Sequence, residues 1–548
     1  MKTNKIFSFL FIFIALSAQA QNEHIVSANV PRGKYNDLPY QYNNINISGN
    51  IFPQNEPSVK FNAKNPRYVL AAWRDFRQSA IPPIWGIGYT YSSDSGKTFA
   101  SNSLLIPVLN PAYPYMSDPV VCSDTNGFFY IASVSFGNSA GMDVVVYKSS
   151  DNGMTFTDYS RAAGGIPGVT EDKEWMVCDL TKGNSPYKNT LYITWTRYET
   201  SQNIQLTKST NNGVNWTPPV KAGTSGIVTG SCPAIGPGGE VYVIWLDYET
   251  NDYKIYFNKS TDGGAGFSTQ RLITQGPKPI LDITCNGLTM PSMAVDVSGG
   301  PRNGYIYVTF CDGRNGDGDV LLMKSSNGGE NWSTPVRVNN DSVGNGKLQC
   351  WPWMAVNEYG EIAIIFYDSR DGLTNAHVGA WLARSTNGGQ SFVNEALSSV
   401  SFYVGWPNTQ IRFGDYINVD YRGGRIVPVW TDLRTGNYDM EIYTAVVDVP
   451  IGIKNISSEI PKDFALYQNY PNPFNANSKI KFKISKLSGV RLSVFDITGK
   501  EIAGIVDERL KPGTYEVTFD GSSLSSGVYF YRLSAENYSE TRKMMLIK

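Results

Sequence analysis

Short runs of apolar or alternating residues, each bounded by Gly, Asn, Asp or Ser, recur through most of this 548-residue chain. Alternation with a period of two, in runs of about four to eight residues, predicts strands. One stretch shows the repeating unit: SMAVDV from Ser292, GYIYVTF from Gly304 and DVLLMKS from Asp319, then TPVRVNN from Thr334. These read as three strands, a turn and a fourth strand. The turn carries the pattern Ser-x-Asp/Asn-x-Gly-x-x-aromatic, which occurs six times: SSDSGKTF from Ser92, SSDNGMTF from Ser149, STNNGVNW from Ser209, STDGGAGF from Ser260, SSNGGENW from Ser325 and STNGGQSF from Ser385. Its third positions are Asp94, Asp151, Asn211, Asp262, Asn327 and Asn387. Their mean spacing of about 59 residues is the size of a four-stranded unit with its loops.

The box is local physics. Asp or Asn can bond its own backbone two residues on, Gly supplies an unusual dihedral, and the aromatic anchors the turn. These six residues are therefore expected to be scaffold. A seventh unit lacks the box: DYINVDY from Asp415, RIVPVWTD from Arg425 and MEIYTAVVDV from Met440 give three strands and stop at Pro450. NINISGN from Asn44 can supply the missing outer strand, which also removes a free sheet edge. The expected fold is all-β, a seven-bladed β-propeller over residues 44–449 followed by a small C-terminal β-sandwich. The 52 glycines, 33 tyrosines and only 17% charged residues suit such a chain.

The six boxes resemble the Asp-boxes, or bacterial neuraminidase (BNR) repeats, of the sialidase superfamily. DKEWMVCD from Asp172, FGDYINVDY from Phe413 and VWTDLRTGNYDMEIYTA from Val429 are similar to stretches of secreted bacterial propellers described as sialidase-like. Composition changes after Pro450. LYQNYPNPFNANSKIKFKI from Leu466, LSVFDITGKEI from Leu492 and SSGVYFYRLSAE from Ser525 resemble the type IX secretion C-terminal sorting domain, here over residues 464–548 with 450–463 as a linker. That resemblance implies an address read by the type IX export machinery and removed on the outer face.

The other end agrees with export. Lys2 and Lys5 precede an apolar run over residues 6–16 and then Ala18-Gln19-Ala20, the pattern of a cleaved signal peptide over residues 1–20. Residues 21–43 then form an N-terminal extension. No later apolar run is long enough for a bilayer, so no transmembrane segment is expected in the mature chain. Lys+Arg 47 against Asp+Glu 48 leaves a net charge of −1, which excludes a nucleic-acid binder acting through a basic surface. Two histidines, His24 and His377, and six cysteines without a C-x-x-C pair point to no metal and no cofactor. Sequence leaves the cysteine pairing open.

Chemistry is expected on the face opposite the boxes, where the loops that lead into strand one and out of strand two meet. Asp75 with Arg77, Asp312 with Arg314, Asp368 with Arg370 and Asp432 with Arg434 recur at the end of strand two. Repetition favours structural ion pairs, since a catalytic group is needed once. The third unit departs, with Arg197 and Glu199, and Asp172, Lys173 and Glu174 near the start of its first strand. Asp415 and Tyr416 stand near the start of the seventh. The candidate ligand face is Asp172, Glu174, Arg197, Glu199, Arg314, Arg370, Asp415, Tyr416 and Arg434, beside Trp351, Trp353 and Trp406 as aromatics able to stack on sugar rings. No residue acquires a catalytic role by spacing.

An active sialidase, as the resemblance implies it, needs an arginine triad, a Tyr–Glu pair and an Asp, with one arginine in a Phe/Tyr-Arg-Ile-Pro motif. That motif is missing; DFRQSAIPP from Asp75 and TQIRFGDY from Thr409 do not match it. The expected function is an extracellular glycan-binding or glycan-processing propeller. The alternatives are an active exo-glycosidase and a structural or adhesive surface propeller. Deleting residues 464–548 is expected to leave the remainder folded but trapped in the periplasm. Cell fractionation decides this: normal appearance of the truncated chain outside the outer membrane refutes the address role.

Overall fold

The computed structural model describes residues 34–37, 42–77, 85–101, 103–137, 142–181, 185–279, 288–404, 413–436, 439–449, 454–457, 459–521 and 524–548. The expected signal peptide, His24, Cys285 and Trp406 lie outside them. The described residues contain strands and no α-helix. None of their helices is thus long and apolar enough to cross a membrane. The chain divides into two compact units, one reaching to about residue 447 and the other occupying most of the remainder.

The first unit is built from seven antiparallel sheets of four or more strands. Their first strands are Gln54–Phe61, Tyr115–Ser123, Thr170–Cys178, Val228–Ile235, Ser292–Val295, Gln349–Val356 and Asn418–Arg422. Each first strand packs against that of the next sheet, and the seventh packs against the first. At that last junction Asn418 and Asp420 accept the backbone N–H groups of Val59 and Phe61 at 3.0 and 2.8 Å. Val59, Val69 and Trp73 of the first sheet share one apolar cluster with Val427, Val429 and Ile442 of the seventh. The outer strand of the seventh sheet is Asn44–Asn46, which pairs antiparallel with Glu441–Ala445. Upstream, Lys34–Asp37 pairs with Val400–Tyr403 beside the sixth sheet.

Second strands supply the most deeply buried side chains. Trp73, Trp195, Trp245 and Trp430 all sit there with no exposed surface. Cys122, Cys178 and Cys232 are buried on first strands, and burial pushes the thiols of Cys122 and Cys232 up to about 12. Such thiols pack as small apolar groups and are poor nucleophiles.

All six boxes form the same turn. The Ser hydroxyl donates to the Asp or Asn side chain and accepts from the Gly N–H, as in Ser149 to Asp151 at 2.7 Å and Gly153 to Ser149 at 3.0 Å. The carboxylate of Asp151 then accepts the N–H groups of Met154 and Thr155 and the Thr155 hydroxyl. Asp94, Asn211, Asp262, Asn327 and Asn387 likewise each accept the backbone N–H four residues on. Gly153 needs its freedom, with φ of 87°.

The second unit holds two four-stranded sheets. One runs Lys454–Ser457, Gly513–Asp520, Asn477–Ile484, Ala465–Leu466; the other Glu501–Leu510, Ser488–Phe495, Gly527–Ala535, Tyr538–Leu546. Ile480, Phe482 and Val517 of one pack with Leu492, Val494 and Leu533 of the other in a common core. The strand Lys454–Ser457 lies inside the segment expected as linker.

Replacing Asp151 with Ala is expected to lower stability by about 1 kcal/mol, the usual worth of a side-chain cap on backbone N–H groups. Thermal melting beside ligand binding checks it: lost binding at unchanged stability would show that this box has a functional role.

Candidate functional site

The first strands converge, and five of them break register close to their starts: between Asn55 and Ser58, Ser117 and Val120, Asp172 and Trp175, Thr229 and Cys232, and Cys350 and Trp353. Each bulge holds a left-handed residue: Glu56 (φ 55°), Asp118 (55°), Lys173 (55°), Gly230 (62°) and Trp351 (51°). A bulge re-aims a side chain and ends regular pairing, and such backbone is costly for residues other than Gly. Four chains of ligand-bearing potential thus meet at one place: Glu56, Asp118 and Lys173 from bulges, and Asp415 from the seventh unit.

Lys173 holds this group together. Its Nζ lies 2.7 Å from Asp118, 2.6 Å from Asp415 and 3.9 Å from Glu56. Arg74, from the second strand of the first sheet, reaches Glu56 at 3.3 Å and Asp118 at 3.9 Å and donates to Asn55 at 2.7 Å. Burial works against the charge of Asp118, yet Lys173 and Arg74 outweigh it and hold its carboxyl well below the ordinary aspartate value. Burial likewise opposes the charge on Lys173, but Asp118, Asp415 and Glu56 more than compensate, and its affinity for the proton rises.

The remaining carboxyls lack such help. Burial pushes Glu56 up to about 8 and Asp172 up to about 6, despite the pull of Arg74 and Lys173. Glu174 is the extreme case. It is 2% exposed, neither carboxyl oxygen has a hydrogen-bond partner, and burial drives its proton affinity well above the ordinary range. Glu174 follows the bulge residue, where Pro57, Pro119 and Pro352 follow theirs. A carboxyl thus replaces an apolar ring at this turn.

Glu174, Trp175, Ser231, Met290, Trp353 and Tyr416, with Asp118 and Lys173 on one side, enclose a cavity of about 20 Å³, room for one water molecule. Trp175 and Trp353 pack with ring centroids 4.0 Å apart and planes tilted by 39°, and Tyr416 meets Trp175 edge-on at 5.6 Å. The Tyr416 hydroxyl donates to the carbonyl of Pro119 at 3.3 Å.

Of the residues singled out from sequence, Asp172, Glu174, Asp415 and Tyr416 come together here, with Trp353. Trp351 stacks instead on Phe413 at 5.5 Å. Arg314, Arg370 and Arg434 stay at the ends of their second strands, bonded to Asp312 (2.5 Å), Asp368 (2.7 Å) and Asp432 (2.6 Å), as Arg77 is to Asp75 (2.7 Å). Each also ties down a neighbouring segment: Arg434 donates to Ser399 and Asn44, Arg370 to Asn340, Arg314 to Thr274. Arg197 pairs with Glu171 at 2.5 Å, and Glu199 accepts a bond from Asn203 at 2.9 Å. Glu56, Arg74, Asp118 and Trp175 were not singled out from sequence. The readable signal was an acidic residue before proline at the start of a first strand, Glu56-Pro57 and Asp118-Pro119.

Residues 468–548 match the family model of the secretion system C-terminal sorting domain. The chain therefore carries the address for type IX export, and its destination is the cell surface or the medium. No curated protein matches the chain. Among solved structures, a protein of unknown function from Dyadobacter fermentans is similar at 12% identity over 77% of this chain and all of its own, with a TM-score of 0.39. An α-L-arabinanase from Penicillium chrysogenum is similar at 16% identity over 74% of this chain and 98% of its own, TM-score 0.41. A sialidase from Streptococcus pneumoniae is similar at 11% identity over 69% of this chain and 71% of its own, TM-score 0.42.

The sign of the pH dependence follows from Glu174. Its folded proton affinity is raised, so its contribution is complete below the unfolded value near 4.5 and is lost as pH rises towards the folded value. Glu56 and Asp172 act in the same direction, while Asp118, being depressed, contributes fully above about pH 4. Melting temperature is expected to fall between about pH 5 and pH 8, and Glu174→Gln is expected to flatten that fall. Equal slopes for both proteins would refute this account of Glu174.

Proposed function

We propose that the seven sheets are the blades of one closed β-propeller, that the second unit is a small β-sandwich serving as the export address, and that the exported propeller binds or processes a glycan at its centre. Support for the ring comes from the order of first-strand contacts and from Asn44–Asn46 completing the last sheet. One observation carries the functional reading: a buried carboxyl with no partner, Glu174, facing a cavity walled by a packed tryptophan pair. Aromatic faces suit sugar rings, and a carboxyl suits their hydroxyls.

A glycan array with the exported protein, run beside a hydrolysis screen, tests this. Binding or turnover of at least one glycan is expected. Failure on every glycan would leave the structural or adhesive reading, which the smallness of the cavity favours.

Sialidase activity is expected to be little or none. Such an enzyme clamps a substrate carboxylate with bidentate arginines, and Arg77, Arg314, Arg370 and Arg434 are already bonded to aspartates. Fluorogenic sialoside hydrolysis near the usual enzyme range of roughly 1–1000 per second, abolished by Arg370→Ala or Tyr416→Phe, would overturn this.

A further inference from the structure

We propose that the central cavity is a socket for one uncharged hydroxyl of a neutral sugar, held by Glu174, and that the site discriminates against glycans bearing carboxylate or sulfate groups. The inference rests on the glycan reading and adds the chemical class of ligand.

Charge is the first argument. Glu56, Asp118, Asp172, Glu174 and Asp415 gather around two cations, Arg74 and Lys173, among the described residues. Both cations already serve carboxylates: Lys173 bridges Asp118 and Asp415, and Arg74 bridges Glu56 and Asp118. An incoming anion would have to displace one of these or sit beside Asp118, Asp172 and Asp415, which outnumber the two cations, in a poorly solvated place where like charges repel strongly.

Size is the second argument. A space for one water also takes one hydroxyl, whereas a carboxylate or sulfate brings at least two oxygens and their central atom. Need is the third. A buried carboxyl without hydrogen bonds is costly, and a ligand hydroxyl can both accept from its O–H and donate to its carbonyl. Trp175, Trp353 and the side chain of Met290 then offer apolar surface to the C–H face of the same sugar.

The test is titration calorimetry of the exported protein with neutral pentose and hexose oligosaccharides, uronate-containing oligosaccharides and sialyl oligosaccharides. It is repeated with Glu174→Gln and Glu174→Leu, whose folding is checked by melting. Neutral oligosaccharides are expected to bind best. Glu174→Gln, which keeps a donor and an acceptor, should stay within a few-fold. Glu174→Leu should lose about ten-fold, the worth of one buried polar contact. Tighter binding of uronates or sialosides would overturn the inference while leaving the glycan reading intact. Unchanged affinity in a folded Glu174→Leu protein would overturn the socket. Binding of none of the three classes would remove the glycan reading and the inference with it. Should Glu174→Leu not fold, the ranking of neutral against anionic sugars in the unaltered protein decides alone.

Discussion

The bulges near the starts of five first strands are the constraint on which the candidate site depends. At Glu56, Asp118, Lys173 and Trp351 the backbone adopts a left-handed conformation that non-glycine residues rarely hold. Each such residue costs of order 1–3 kcal/mol unless its surroundings compensate. Here the compensation and the candidate site are the same thing. The re-aimed Lys173 lies 2.7 Å from the re-aimed Asp118 and 3.9 Å from the re-aimed Glu56, so three bulged strands meet in a single cluster. Removing one partner of a buried ion pair generally costs about 3–5 kcal/mol, because the other charge is left uncompensated. Lys173 has two close partners, which makes it the pivot.

Two kinds of arginine chemistry follow from this geometry. At the ends of the second strands, Arg77, Arg314, Arg370 and Arg434 each close on an aspartate two residues away and reach out to a neighbouring segment. These pairs are repeated stitches between loops and sheets. Arg74 differs, since it points to the bulges and shares its charge between Glu56 and Asp118. The cluster is consequently short of positive charge, and burial raises the proton affinity of both Glu56 and Glu174. Perturbed carboxyls in a cavity are where binding and proton transfer are usually found, although ion-pair networks also perturb carboxyls.

The second unit meets a different requirement. Its small core of Ile480, Phe482, Leu492, Val494, Val517 and Leu533 is separate from the cores of the seven sheets. A unit with its own core can act as a removable address without the rest of the chain depending on it, in keeping with the sorting-domain match over residues 468–548.

Much of the architecture was local and therefore legible. The box turn is made by residues within about eight positions of one another, so Asp94, Asp151 and their counterparts announced six turns outright. Period-two runs marked the strands, and the Asp–Arg spacing at the ends of second strands marked the ion pairs. Lys454–Ser457 was not legible as a strand, because its pairing with Gly513–Asp520 spans about sixty residues of chain. The centre was legible only in part. Asp172, Glu174, Asp415 and Tyr416 drew notice as departures from the repeat, whereas Glu56 and Asp118 looked like ordinary residues before prolines. Which of these charges are paired, and that neither oxygen of Glu174 has a partner, depends on the first, second, third and seventh sheets meeting. Spacing along a chain carries no information about a distance set by the packing of sheets far apart in sequence. The sequence by itself determined the turns, the strands and the export address; tertiary structure decided which carboxyls share a cation and which one is buried without a partner.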